Sequence, residues 1–520
     1  MSGWALYVLR FGVARQKMET AIAMIADPHF HDIHYRGVHE GPTIRSFRDT
    51  ISQSRILNES CFSLRAALDE VARRGIKVVV MPGDLTEEGQ PADIDGFIRL
   101  TGDYREKYGM QFFATFGNHD AYGPTGKHFA KAYTGPDGKR FTIASRAGKG
   151  DFTDPNMRGP GYAELMQTLG DFGFFRRDAY LHWESPFGAD DALAARTYTA
   201  ISDDRRNTAE LIDASYLVEP VEGLWLLALD SNVYQPKSGE IDPGKASSYV
   251  DSKVGKWDAV VRHRPYLLDW MANVRRRADA QGKALVAFSH YPVVAAPEDD
   301  PRPAQFNGAE PLQPAPETTA AIARTGIGVH FSGHEHVCNI GRHAGDGHAL
   351  VDVALPAVCS FPPAFRVLSV SPDAIAVETV AVTDAPGIET LAETYKSEAQ
   401  SDTGLTEAAA LLTAAENFGD FMNRQLGVAV QGVLAEKHFG KDFTALGDTP
   451  LAGGLKLIDA LADWYRLSRG GEIARTMIPE ERLAAYARPD FASQGEGDVR
   501  RMLVQLSRMA TAPYAGAFTL

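Results

Sequence analysis

Short apolar runs closed by a polar residue recur along the first two thirds of the chain. Ala21 to Ala26 ends at Asp27, Lys77 to Met81 leads into Pro82-Gly83-Asp84, and Phe112 to Phe116 leads into Gly117-Asn118-His119-Asp120. Leu224 to Leu229 ends at Asp230, Ala284 to Ser289 at His290, and Ile327 to Phe331 at Gly333-His334. Their β-branched and aromatic content predicts strands. Helical faces lie between them. Leu57, Cys61, Leu64, Leu68 and Val71 step by four and three before Gly75, and Leu267, Met271 and Val274 mark another helix. Continuous apolar strands separated by helices predict an α/β fold with sheets buried on both faces.

Two regions break this rhythm. Residues 121–220 hold many Gly, Pro and aromatic residues with weak periodicity, the mark of an insertion that serves as a lid or pocket wall. Beyond about residue 387 the strands stop. Leu411, Ala415, Phe418, Met422, Leu426, Ala429 and Val433 trace one long helix face; Leu455, Ile458, Leu461 and Tyr465 trace a second, and residues 496–510 a third. The expected organisation is an N-terminal extension (1–19), an α/β domain (20–386) and a helical C-terminal appendage (387–520). The appendage is either a cover packed on the domain or an interface, for a homo-oligomer or for another partner. At the N-terminus Arg10, Arg15 and Lys17 follow the apolar residues, the reverse of a secretory signal. Met18 would itself make a start, and residues 1–17 are expected to be dispensable.

Composition narrows the classes. Of 520 residues, 44% are hydrophobic and 23% charged, as in soluble globular chains. No window of eighteen apolar residues exists, so no membrane-spanning helix is expected. The net charge of −14 repels polyanions, which disfavours nucleic acid polymers and anionic membranes as partners. Three cysteines cannot all pair, and the lack of a disulfide framework points to a reducing, cytoplasmic setting.

The chemistry lies in where Asp, His and Asn fall. Asp27 and His29, Asp84, Asn118 and His119, His290, and His334 with His336 each follow an apolar run. In open α/β architectures the carboxyl ends of strands share one edge, where ligands bind. Each residue alone is more often a satisfied hydrogen-bond partner. Together they match the needs of two divalent ions, because carboxylate, imidazole and amide oxygen suit Mn, Fe or Zn. No Cys belongs to the set, which argues against a structural zinc site. Cys338, two residues past His336, reads as a small buried hydrophobe.

Asp27-x-His29, Gly83-Asp84, Gly117-Asn118-His119-Asp120, His290 and Gly333-His334-Glu335-His336 resemble, in order, the five motifs of the calcineurin-like metallophosphoesterases. The resemblance runs from residue 22 to 336, with strands to about 382 completing the catalytic domain. It implies a two-sheet β-sandwich flanked by helices, four layers in all, with a binuclear centre at one edge. It implies Asp27, His29 and His336 on the first metal, Asn118, His290 and His334 on the second, and Asp84 bridging both. It also implies hydrolysis of phosphate esters by a metal-bridging hydroxide. His119, beside Asn118, is placed to protonate the leaving oxygen as a general acid, with Asp120 orienting its ring.

The substrate is expected to be a small phosphodiester. Gly83-Asp84-Leu85-Thr86-Glu87-Glu88-Gly89 is similar to the second motif of class III cyclic-nucleotide phosphodiesterases. Glu87 stands where purple acid phosphatases place a Tyr. The alternative is a phosphomonoesterase, acting on small molecules or proteins. A non-catalytic scaffold is expected to lose ligands or His119, and all are present. His31, His34 and His39 in the first loop, Arg45 and Arg48 after it, and Arg176, Arg177 and His182 in the insertion are candidate substrate contacts, with a solvated or surface role the commoner outcome for each.

Overall fold

Within the strand Leu224–Ala228 the pleat sorts side chains into two cores. Leu224, Leu226 and Ala228 enter one apolar cluster, while Trp225 and Leu227 enter another. The neighbouring strand Ala284–Ser289 does the same, with Val286 and Phe288 on one side and Ala287 on the other. A strand clothed on both faces must lie inside a layered stack. The computed structural model from which this is read describes residues 6–10, 20–38, 41–51, 53–294, 313–434, 436, 447–451, 454–511 and 518–519. His39 and most of the stretch 1–19 fall outside them.

Two seven-stranded sheets form the centre. The first runs Phe518–Thr519, Leu6–Arg10, Ala374–Ala381, Ala364–Ser371, Thr20–Met24, Val78–Pro82, Gln111–Thr115. The second runs Asn339–Gly345, His348–Ala354, Val329–Ser332, Ala284–Ser289, Leu224–Ala228, Tyr216–Val221, His182–Glu184. Thr20–Met24, Val78–Pro82 and Gln111–Thr115 pair in parallel, as do Leu224–Ala228, Ala284–Ser289 and Val329–Ser332. The inner faces of both sheets share one core, which Leu64, Leu68 and Val71 of the helix Ser60–Arg73 and Phe97 and Leu100 of the helix Pro91–Tyr108 join. The helices Ser252–His263, Pro265–Gln281 and Pro316–Ala323 pack on the other face of the second sheet through Trp257, Leu267, Met271 and Ile322. Proline at the first turn of Pro91–Tyr108 and Pro265–Gln281 suits helix starts, where its missing N–H is not needed. The order helix, sheet, sheet, helix is the expected sandwich, and the C-terminal helices are present.

Three details differ from the sequence pattern. The stretch 121–220 is not wholly an insertion, because His182–Glu184 and Tyr216–Val221 are strands of the second sheet. The rest of it makes a small sheet of Ala130–Thr134, Arg140–Ala144 and Phe152–Thr153 and a hairpin of Thr197–Ile201 with Thr208–Ile212. The single long helix face at 411–433 is two helices, Thr406–Thr413 and Phe418–Ala429. Asn417 breaks them, its side chain accepting from Asp420 N at 2.9 Å as an N-cap. Finally, Leu6–Arg10, inside the stretch expected to be dispensable, pairs antiparallel with Ala374–Glu378.

The C-terminal helices lie on the sandwich. Leu391, Tyr395, Leu412, Phe418, Leu461 and Leu503 belong to the same apolar cluster as the sheets. Tyr395 stacks on Phe47 at 4.5 Å between centroids. Buried Glu398 accepts the backbone N–H of Phe47 at 2.8 Å and of Arg48 at 3.3 Å. Among the described residues no helix is long and apolar enough to cross a membrane.

Candidate metal centre

The carboxyl ends of the parallel strands open onto one edge, and the loops there hold the seven expected ligands. Five of them depart from ordinary backbone: Asp27, His29, Asp84, His334 and His336 have φ of 48°, 42°, 49°, 67° and 53°. Asp and His tolerate this left-handed region better than most residues, and such strain gathers at functional sites. Two glycines permit the close approach. A Cβ on Gly117 would collide with Asp84 Oδ1, and one on Gly333 with Asp27 Oδ2.

The side chains fall into two groups sharing Asp84. On one side His29 Nε2 lies 3.3 Å from His336 Nε2 and 3.5 Å from Asp84 Oδ2, and His336 Nε2 lies 3.3 Å from Asp27 Oδ1. On the other, His290 Nε2 lies 3.2 Å from Asn118 Oδ1 and 3.5 Å from Asp84 Oδ2. The ligand atoms of Asp84, His290 and His334 are within 4.8 Å of one another, as are those of His29, Asp84 and His119. All seven expected ligands and His119 are thus brought together.

Neighbouring groups aim these atoms. His290 Nδ1 donates to the Pro82 carbonyl at 3.0 Å, which turns a bare Nε2 lone pair toward Asn118 and Asp84. His336 Nδ1 meets Ser360 Oγ at 2.7 Å. Asp27 accepts the His334 backbone N–H at 2.9 Å, and Asp84 that of His119 at 2.8 Å. Burial pushes Asp27 up to about 8. Burial, aided by the nearby Arg55, pushes His29 down to about 3, and burial lowers His334 and His336 well below the usual imidazole range. Burial opposes ionisation of Asp84 too, but His290, His119 and His29 outweigh it and hold that carboxyl below the usual range. Neutral imidazoles with inward lone pairs are what metal binding requires.

The residues fit a pair of cations. His334 Nε2 is buried with no hydrogen-bond partner. The His29 and His336 Nε2 atoms face each other, and both point at carboxylate oxygens. A buried polar atom left unpaired is costly, and a shared cation satisfies all of these atoms at once. Carboxylate, imidazole and amide oxygen form a hard-to-borderline donor set.

Asp120 requires a correction. Its oxygens accept from the backbone N–H of Leu85 at 2.8 Å, Thr86 at 3.4 Å and Gly117 at 2.8 Å, so it ties the second and third motif loops together. The partner of His119 Nδ1 is instead the Glu87 carbonyl oxygen, at 2.8 Å. Three loop N–H groups converge on a buried carboxyl more readily than one ring does.

Sequence reasoning missed several neighbours. Glu87 places Oε2 3.3 Å from His29 Nδ1 and is gripped by Arg55 through two contacts, of 3.1 and 2.9 Å. Its distance of three residues from Asp84 was the available signal; Arg55 and Ser360 carried none. Buried Cys359 joins His29 and His336 within 4.8 Å, its Sγ 3.2 Å from the Asp27 carbonyl. Cys338 is half-buried, with its amide donating to the Arg469 carbonyl at 2.6 Å. The weaker candidates have partners elsewhere. His31 pairs with Asp93 at 2.9 Å and His182 with Glu184 at 2.9 Å, while Arg48 meets Asp402 and Arg177 meets Asp171. Arg45 is buried over the Tyr133 ring, the His34 amide donates to Asp32, and the Arg176 amide to Asp191.

Residues 20–212 match the family model for calcineurin-like phosphoesterases. Over that stretch, which is less than half of the chain, the sequence is similar to this family of phosphoesterases. The match carries the first three motifs and stops short of His290, His334 and His336, which the fold brings to the same place. Among solved structures the chain is similar to a dimetal phosphatase from Danio rerio, with 15% identity, 71% of this chain and 100% of that one covered, and a TM-score of 0.37. It is also similar to a sulfate thiohydrolase from Thermus thermophilus, with 12% identity, 76% and 62% covered, and a TM-score of 0.30. An anchor of the inner membrane complex of Plasmodium aligns with 9% identity, 72% and 87% covered, and a TM-score of 0.30. No curated protein matches the chain.

Proposed function

We propose that the protein hydrolyses small phosphodiesters at two divalent transition ions, Mn, Fe or Zn. Asp27, His29 and His336 would hold one, Asn118, His290 and His334 the other, and Asp84 both; the shared position of Asp84 between the two groups supports this division. Bound there, the ions would supply Lewis acidity toward the phosphoryl group and an activated water.

The chain's own residues do the rest. A carbonyl can only accept, so His119 Nδ1 carries the proton given to Glu87 O. That leaves Nε2 of a half-buried ring to deliver a second proton to the departing oxygen. The backbone N–H of His119 meanwhile holds Asp84 Oδ1, so acid and carboxylate are fixed by the same residue.

The observation favouring a diester is charge. Two cations tied into the site are already neutralised by carboxylates: Arg55 by Glu87, and Lys131 by Glu88. A monoester dianion would benefit from free fixed cations, whereas a diester carries a single charge. Turnover of bis(para-nitrophenyl) phosphate against para-nitrophenyl phosphate tests the reading. The diester is expected to be preferred in kcat/KM by about tenfold or more, and a monoester preference of that size overturns it.

A further inference from the structure

One helix of the C-terminal region reaches the metal centre. In Leu457–Arg475 the backbone leaves helical geometry at Gly471, where φ is 50° and ψ is −125°, a conformation open to glycine. Beside it, a Cβ on Gly470 would come within 3.0 Å of Pro362 Cγ. The two glycines let the helix close on the loop whose Ser360 hydroxyl meets His336 Nδ1. The Arg469 carbonyl meanwhile accepts from Cys338 N at 2.6 Å, two residues past His336. Arg469 is thus fixed between the segment that carries His336 and the loop that aims it.

The Arg469 side chain has no counter-ion there. Among the described residues it makes no ion pair and no side-chain hydrogen bond, and its Nε is buried and unpaired. Its guanidinium lies over the Tyr465 ring, 6.0 Å from the centroid. The residue is half-buried, so the far end of the fork meets open space, and the adjoining His336 side chain is 10% exposed. The charge is close enough to act on His336, where it adds to burial and to Arg55 in holding the imidazole well below its usual range. Other buried guanidiniums have acids: Arg55 has Glu87, and Arg264 has Asp213 and Asp230. A charge that burial makes costly and no residue neutralises is a receptor for an anion brought by a ligand.

We propose that Arg469 binds a second anion of the substrate, a carboxylate or phosphate on one ester arm, so that the protein acts on small phosphodiesters carrying such a group. This rests on the diester reading above: a diester has one negative charge, which the two metal ions already meet, and the guanidinium beside them calls for another. The planar fork of donors pairs with either oxyanion through two parallel hydrogen bonds, which a neutral alkyl arm does not offer. The C-terminal helices thereby supply a specificity residue to the site as well as a cover to the sandwich.

The test is calorimetric titration of the full-length, metal-loaded protein with three non-hydrolysable probes of similar reach: propylphosphonate, 3-phosphonopropanoate and propane-1,3-bisphosphonate. At least one of the two probes with a second anion is expected to bind about tenfold or more tighter than propylphosphonate, and whichever leads identifies the arm as carboxylate or phosphate. In Arg469→Gln, with circular dichroism unchanged, that preference should vanish. Propylphosphonate binding the wild type as tightly as the other two, or a preference that persists in Arg469→Gln, would each overturn the proposal. The wild-type series keeps it open to refutation even if the variant fails to fold. The diester reading stands or falls separately, on the para-nitrophenyl diester and monoester, so the two failures are told apart.

Discussion

Removing the His119 ring isolates the proton-transfer step. The ring is held on two sides, by the Nδ1 contact of 2.8 Å to the Glu87 carbonyl and by edge-on packing against His29 at 4.9 Å between centroids. Little orientational freedom remains to be lost as the transition state forms, so the ring should act near the top of its usual range. For an ester with a poor, alkoxide leaving group, His119→Ala is expected to cost about 10³-fold in kcat, or roughly 4 kcal/mol of barrier. A para-nitrophenolate leaves without a proton, so the same variant should lose less than about tenfold on that ester. The link to Asp84 is a backbone N–H and survives the substitution, so metal content should be unchanged. The assay is kcat across diesters of graded leaving-group basicity, with metal analysis of each sample. Equal losses across the series would show that the ring only binds phosphate, and the assignment of His119 as acid would fall.

Other consequences are as direct. Glu87→Gln removes the carboxylate beside His29 Nδ1 and should weaken metal affinity about 10–100-fold, read by competition with a chelating dye; unchanged affinity would show that Glu87 serves Arg55 alone. Chelation should abolish turnover and lower Tm, because His334 Nε2 returns to being an unsatisfied buried atom; a Tm indifferent to chelator would count against metal binding there. Burial holds Glu59 at about 7 in the folded chain against an ordinary 4.5. Below 4.5 folded and unfolded chains both hold its proton; between the two values only the folded chain does; above 7 the full penalty applies. Wild-type stability should therefore fall from pH 4.5 to 7 relative to Glu59→Gln, by about 3 kcal/mol at most, and parallel curves for the two proteins would refute the burial argument.

The parallel strands were the legible part of the fold. Val78 to Val80 are β-branched and buried on both faces, so their run needs no partner information to be seen. His182–Glu184 was not legible: three residues give no periodicity, and the strand is defined by its pairing with Tyr216–Val221. The break before Phe418 was hidden because Ala415 and Phe418 keep helical spacing while Asn417 caps a new helix. At the site, the seven donors were readable because each closes an apolar run. The bonds that aim them were not. Pro82 O and Glu87 O are backbone atoms without a sequence signature, and Ser360 lies outside every motif. Asp120 shows the limit of adjacency: it neighbours His119 in the chain, but its carboxyl turns to three backbone amides of other loops.

The position of Thr20–Met24 has a consequence for biosynthesis. One flank of this strand pairs with Val78–Val80, but the other waits for Ala364–Ser371, where Arg366 stands opposite Met24 about 340 residues downstream. At a ribosomal pace of ~5–20 residues per second, that edge stays open for roughly 20–70 s while the chain emerges. An unpaired strand rich in Ile, Ala and Met is a template for wrong partners, so the nascent protein should depend on holding chaperones until its last third is made.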